Sequence, residues 1–237
     1  MLSFLGRGSG LSPEHTNAFF TDEDNLIFID FSMTSFSKLA GKDIHSLSKG
    51  KDISHIYIIV THTHSDHISG IPMFIFYSHF ILHIPVTVAV PSEEIKKDMV
   101  YWMDRMEGIG TELYDIVLSS SLTKWVKAVI PTEHTAELKG RCFGYQLNVD
   151  NTDIVYTGDT NTLVPFKPYI ENSTALYTEI SFYKSDVHLW IDDILDYLQS
   201  LTSEGKEVYI MHLDDEDEIA KKIAGTSVKK VRLYKNI

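Results

Sequence analysis

Residues 62–67 read His-Thr-His-Ser-Asp-His, three imidazoles and a carboxylate within six consecutive positions. Crowding imidazoles gains little in a water-filled turn and costs desolvation in a core, whereas divalent cations take neutral imidazole and carboxylate as ligands. The segment just ahead, Ile56-Tyr57-Ile58-Ile59-Val60, is an unbroken β-branched and aromatic run, which predicts a strand buried on both faces. The donors therefore sit at a strand's C-terminal end, where a rigid scaffold meets an open cleft and side chains can converge.

Three later segments repeat this design. Trp125 to Ile130 reads as a strand and leads to Pro131-Thr132-Glu133-His134. Asp153 to Tyr156 leads to Thr157-Gly158-Asp159-Thr160, and Val208 to Met211 leads to His212. In order and approximate spacing, the histidine-rich turn, His134, the Gly158-Asp159-Thr160 turn and His212 resemble the metallo-β-lactamase fold superfamily over most of the chain. The resemblance implies an α/β protein, a four-layer αββα sandwich with two mixed β-sheets. It also implies that His62, His64 and His134 hold one divalent metal ion, that Asp66, His67 and His212 hold a second, and that Asp159 bridges both. Imidazole and carboxylate donors favour zinc, with manganese or iron as alternatives. Two cations about 3.5–4 Å apart can share a hydroxide and clamp the oxygens around an attacked centre, so hydrolysis is the expected chemistry. Asp66 marks the hydrolytic pattern, because relatives that bind two irons and reduce oxygen alter this ligand set.

Leu176-Tyr177-Thr178-Glu179-Ile180-Ser181-Phe182, followed by His188-Leu189-Trp190, is similar to the ribonuclease Z-like branch of that superfamily. There a glutamate and a later histidine form a pair beside the metals, which makes Glu179 the group that orients His188 and adds both to Asp66 as catalytic candidates. A histidine so held is poised near neutral pH to stabilise phosphorane charge or protonate a departing alkoxide. Transfer-RNA-processing members carry a long gripping insert, commonly between the counterparts of His134 and Asp159, whereas only residues 135–158 lie there in this chain. A net charge of −12 also opposes long nucleic acids, whose binding rests on Lys and Arg neutralising phosphates. The expected substrate is a small anionic phosphodiester, with cyclic nucleotides and cyclic sugar phosphates as candidates. The competing readings are a lactonase or a glyoxalase II-like thioesterase, in which Tyr183 or Tyr177 would polarise a carbonyl, then a tRNA-processing endonuclease, and last a nonenzymatic metal-dependent binding protein.

The 237 residues, 43% of them hydrophobic, suffice for one large core, and no linker, repeat or low-complexity tract divides them, so residues 1–237 are expected to form a single hydrolase domain. Cys142 is the one cysteine, and the first residues lack a signal peptide's basic start and apolar centre, so a cytoplasmic enzyme is expected. The uncharged run from Ile68 to Ser92 has the length of a membrane span, but Pro72, Pro85, His79 and His83 divide it into a core helix and a strand, Val86 to Val90, and no membrane association is expected. His79 and His83 could share a helix face as zinc pairs do, but no third ligand is near in sequence. The resembled branch is often homodimeric, which makes the apolar helix over residues 71–84 a candidate interface.

Strands are expected at residues 2–5, 18–21 and 26–30, and a hairpin around Asp150-Asn151. A helix capped by Ser92 should run to about Glu107, with amphipathic helices over 192–201 and 216–224. Loops at Met33–Phe36, residues 104–109 and 161–169 are expected near the strand ends, with Phe166 and Tyr169 as candidates either to stack on a base or to pack within the fold.

Overall fold

The computed structural model describes residues 1–235, which divide into two compact units. The first holds residues Leu2–Gly6 and Glu14–Leu122 together with the segment from Leu233, and the second holds Met1, Arg7–Pro13 and Thr123–Arg232.

The first unit is built on a mixed six-stranded sheet. Its strands are β1 (Ser3–Gly6), β2 (Asn17–Asp22), β3 (Asn25–Ile29), β4 (His55–Ile59), β5 (Val86–Val90) and β6 (Asp115–Leu118), side by side in chain order. The β1–β2 and β2–β3 pairings are antiparallel; β3–β4, β4–β5 and β5–β6 are parallel. Val86 to Val90 is buried at every position, as expected where both faces of a parallel strand are covered. The helices are α1 (Met33–Leu39), α2 (Ser65–Ile68), α3 (Ile71–Tyr77) and α4 (Glu93–Arg105). Ser92 caps α4, its side chain accepting from the Ile95 backbone N–H, with Glu93 and Glu94 favourably placed in the first turn. Phe28, Phe31 and Phe74 are fully buried, with ring centroids 4.9 Å apart for Phe28–Phe31 and 4.5 Å for Phe31–Phe74, so α3 docks through Phe74 onto the sheet and its exit loop. Removing such a ring typically costs ~3–5 kcal/mol.

Beyond Tyr77 the helix loosens into a π turn, Ser78–Leu82, ended by His83 in the left-handed region at φ 57°. Phe80 and Ile81 are 59% and 61% exposed, so this stretch is not wholly interior as its apolar sequence predicts. His83 Nδ1 donates to the His79 carbonyl at 3.1 Å and both rings are exposed, so the two imidazoles do not form a ligand pair.

The second unit repeats the topology. Its strands β7 (Val126–Thr132), β8 (Cys142–Val149), β9 (Thr152–Tyr156), β10 (Ala175–Glu179), β11 (Glu207–Met211) and β12 (Lys229–Lys230) again lie in chain order, two antiparallel pairings followed by three parallel ones. The β8–β9 turn places Asp150 and Asn151 at φ 53° and 60°, a conformation that Asp and Asn tolerate better than other side chains. Helices α5 (Lys167–Glu171), α6 (Ile191–Ser203) and α7 (Glu216–Lys222) complete it. Its core joins Val155, Leu176, Val208 and Ile210 of the sheet to Leu198 and Leu201 of α6, Ile219 of α7 and Phe166.

Among the described residues, no helix is long and apolar enough to cross a membrane.

Candidate active site

In the first unit β3 and β4 run parallel with Ile29 opposite Ile59, so Asp30 and the residues after Ile59 emerge together. Asp30 sits at φ 58° and is 1% exposed. It accepts from the Thr61 backbone N–H at 2.8 Å, from the Thr61 hydroxyl at 2.8 Å and from His67 Nδ1 at 2.8 Å. Because the Thr61 hydroxyl spends its proton on Asp30, its oxygen is left to accept from His62 Nδ1, 3.0 Å away. His62 Nε2 lies 3.1 Å from His64 Nδ1, and His67 Nε2 lies 3.2 Å from Asp66 Oδ2. The structure thus brings His62, His64, Asp66 and His67 together at one strand end, with Asp30 anchoring His67 directly and His62 through Thr61.

The turn is also locked from behind. Phe31 N–H donates to the His67 carbonyl at 2.6 Å, and Gly70 N–H donates to the Phe31 carbonyl at 3.0 Å. A Cβ on Gly70 would stand 2.2 Å from the Ser32 carbonyl oxygen, so only glycine allows α2 to approach so closely.

In the second unit β9, β10 and β11 are parallel neighbours, and their exits carry Asp159, Glu179 and His212. Gly158, at φ 61°, turns the chain after β9, and His212, at φ 55°, follows β11 directly. Asp159 is 3% exposed; its Oδ2 lies 3.2 Å from His212 Nε2 and 3.8 Å from His134 Nε2. His134, beyond β7, donates Nδ1–H to the Val187 carbonyl at 2.7 Å. Glu179, the last residue of β10, is fully buried; one oxygen accepts from the Thr160 N–H and the other from His188 Nδ1 at 2.7 Å. The His188 ring lies 4.9 Å from that of His134 and 5.3 Å from that of His212, centroid to centroid.

The loop that carries His188 is pinned at its base. Ser181 N–H donates to the Leu189 carbonyl at 2.8 Å and Ile191 N–H to the Ser181 carbonyl at 3.0 Å. Asp214 accepts from the Phe182 N–H at 2.7 Å, from the Tyr183 N–H at 3.3 Å and from the Ser181 hydroxyl. Burial pushes Glu179 up, to about 7, against the hydrogen bond and charge of His188 that pull it down. Burial works against the imidazolium of His188, but the hydrogen bond and charge of Glu179, with Asp159 and Asp214 behind them, outweigh it and raise His188 to about 9. Between those two values the pair is a carboxylate and an imidazolium.

The hydrogen bonds decide whether this donor set suits a metal. His62, His67 and His134 each commit Nδ1–H to an oxygen, of Thr61, Asp30 and Val187 respectively, which fixes the tautomer that presents a lone pair at Nε2. Buried imidazoles held this way, next to carboxylates of low exposure, are the arrangement that ligates divalent cations. The residues fit such ions.

Asp30 and Asp214 are functional groups the sequence reading missed. Asp30 had a usable signal, a lone carboxylate ending the apolar run Leu26-Ile27-Phe28-Ile29; Asp214 is masked by the acidic run that follows it. Other expectations are corrected. Met33–Phe36 is the start of helix α1, not a loop. Phe166 is fully buried in the core of the second unit and Tyr169 packs against it, so Phe166 offers no face for stacking. Tyr177 is 1% exposed with its hydroxyl on the Met1 sulfur, which removes it as a carbonyl-polarising group, while Tyr183 Oη donates to Asp215 at 3.2 Å.

Comparison with known proteins places the fold and the family. The anti-Pycsar protein Apyc1 of Bacillus phage 010DV004 is 21% identical over 245 residues, covering 92% of this chain and 90% of that protein. YhfI of Bacillus subtilis, described as a metallo-beta-lactamase fold protein, superposes with a TM-score of 0.72 at 17% identity, over 99% of this chain and 96% of that one. A diphosphatase from the PhnP family gives a TM-score of 0.69 at 13% identity, over 98% and 95% of the two chains. Human short-form tRNase Z gives 0.62 at 13% identity, over 99% and 96%. The α/β fold with two mixed six-stranded sheets is therefore that of the metallo-β-lactamase proteins, ribonuclease Z and PhnP-type structures included. The model of one family, described as anti-Pycsar protein Apyc1, matches residues 1–232, and the chain belongs to that family.

Proposed function

We propose that the two units act as one dinuclear metal-dependent hydrolase domain, a cytoplasmic phosphodiesterase that cleaves a small cyclic phosphodiester, and that its substrate is a cyclic nucleotide. Membership in a family named for opposing Pycsar supports a small signalling substrate of this kind. The observation that carries the reading is the Glu179–His188 pair, a 2.7 Å contact placed beside His134 and His212.

One ion would be held by His62, His64 and His134, another by Asp66, His67 and His212, with Asp159 shared. Such cations supply Lewis acidity, lowering the pKa of a water molecule and neutralising phosphoryl oxygens. Asp30, Thr61 and the Val187 carbonyl orient the imidazoles for this task. Glu179 takes His188 Nδ1–H, so Nε2–H of the imidazolium is the proton presented to the substrate. From there His188 stabilises charge on a phosphoryl oxygen and then gives its proton to the departing alkoxide. A thioesterase has less use for an imidazolium raised to about 9, because its departing thiolate needs little protonation. The net charge of −12 favours a small anion over a long nucleic acid.

The deciding experiment is metal quantification followed by parallel assays on cyclic nucleotides, a generic phosphodiester, a lactone and a thioester. Cleavage of the phosphodiesters is expected; turnover of carbonyl esters alone would overturn the reading.

A further inference from the structure

A groove of about 640 Å³ opens directly beside His188 in the second unit, walled by residues 161–167 on one side and by the Lys184–Trp190 segment and α6 on the other. Two features distinguish it. Its aromatic surfaces, Trp190 and Tyr197, are half-buried, and Trp190 is fixed: its Nε1 donates to the Phe182 carbonyl at 3.1 Å, and its backbone bridges to Ser181 at the pinned base of the loop. Each ring also carries a lysine, Lys184 Nζ at 4.5 Å from the Trp190 ring centroid and Lys167 Nζ at 5.6 Å from that of Tyr197. Asp186 and Asp193 line the groove as well and balance the two lysines, so it is the pair of aromatic rings beside the proton donor that marks where a planar group would settle.

We propose that this groove is the base-binding subsite, in which the nucleobase of a cyclic nucleotide stacks on Trp190 and Lys184 turns from the ring to hydrogen-bond a carbonyl oxygen on the base edge. The assignment rests on the phosphodiesterase reading above. Stacking a base on an indole is worth more than the exposed cation–π contact it displaces, so the exchange is favourable. Lysine suits the task because its ammonium sits on a flexible stem and can leave the ring without disturbing the backbone. Choice among bases would then lie with Lys184 and Trp190, and cleavage with His188 and the metal ligands.

The test compares a cyclic nucleotide with an abasic ribose 3′,5′-cyclic phosphate, both followed by phosphorus NMR with the metal-loaded protein. W190A should lower the ratio of kcat/KM for the nucleotide to that for the abasic ester about tenfold or more, mainly through KM of the nucleotide. K184A, at an exposed position, should lower the same ratio in the same direction and change the preference among cyclic nucleotides with different bases. If both esters are cleaved and neither variant moves the ratio, the base subsite is wrong and the phosphodiesterase reading stands. If the wild-type protein cleaves neither ester, the phosphodiesterase reading itself is wrong.

Discussion

Asp30 Oδ2 stands 2.8 Å from His67 Nδ1, and both groups are almost wholly shielded from solvent. The same carboxylate holds the Thr61 N–H and hydroxyl, and through that hydroxyl sets the orientation of His62. Supporting carboxylates of this kind are typically worth 10–100-fold in metal affinity. D30N should therefore bind zinc or manganese about 10–100-fold more weakly, read by competition with a coloured chelator. Unchanged affinity in D30N would mean that Asp30 serves the fold alone.

Replacing His188 addresses the chemistry. H188A should keep its bound metal, since the change leaves the seven proposed ligands intact, yet lose about 10²-fold or more in kcat on a phosphodiester. Elemental analysis beside steady-state kinetics checks both halves of the statement. A thioester substrate, whose thiolate leaves without protonation, should respond far less, and an equal loss on it would point to a structural role for His188.

Glu179 raises His188, so the activity that depends on the imidazolium should persist through neutral pH and fall as pH passes about 9. E179Q removes the anion that stabilises the proton, and a base whose pKa has been raised by a neighbour falls back when that neighbour is neutralised. The alkaline limb of kcat/KM should thus move to lower pH in E179Q. A limb that stays in place would assign it to another group.

Chelation should abolish turnover and also lower the melting temperature, because any ion that binds only the folded state stabilises it by about 2.7 kcal/mol at a hundredfold excess over its dissociation constant. Zinc or manganese added back should restore both, monitored by activity and differential scanning fluorimetry on one preparation.

Gly70 gives a prediction about the backbone. Its missing Cβ leaves room for the Ser32 carbonyl, 2.2 Å from where that atom would be. G70A should destabilise the first unit by about 1–3 kcal/mol, the usual cost of overpacking, read from the urea midpoint. Loss of metal at the histidine-rich turn should accompany it, since α2 would be pushed away from Phe31.

Much of this molecule could be read from residue order. The runs Val86 to Val90 and Val208 to Met211 are buried at every position, and Ile56 to Val60 at every position but Tyr57, so they announce strands without reference to neighbours. Ser92 before two glutamates and Asp150-Asn151 between apolar runs declare a helix start and a tight turn through local hydrogen bonding and backbone preference. The histidine-rich turn is legible because such a density of imidazole has few uses other than metal.

What residue order left open are relations between groups distant in the chain. Asp30 meets His67 because β3 and β4 are parallel neighbours in register, and nothing around Phe-Ile-Asp-Phe-Ser states that pairing. Phe166 looks like a loop aromatic until the core of the second unit closes over it, and Met33–Phe36 looks like a loop until Ser32 caps it as a helix. The sequence by itself determined which side chains stand at strand ends, since backbone propensity and hydrophobic period act over a few residues. Only the tertiary structure decided which nitrogen of each imidazole is spoken for and which aromatic rings line the groove beside His188, because hydrogen bonds and burial depend on what the folded chain brings alongside.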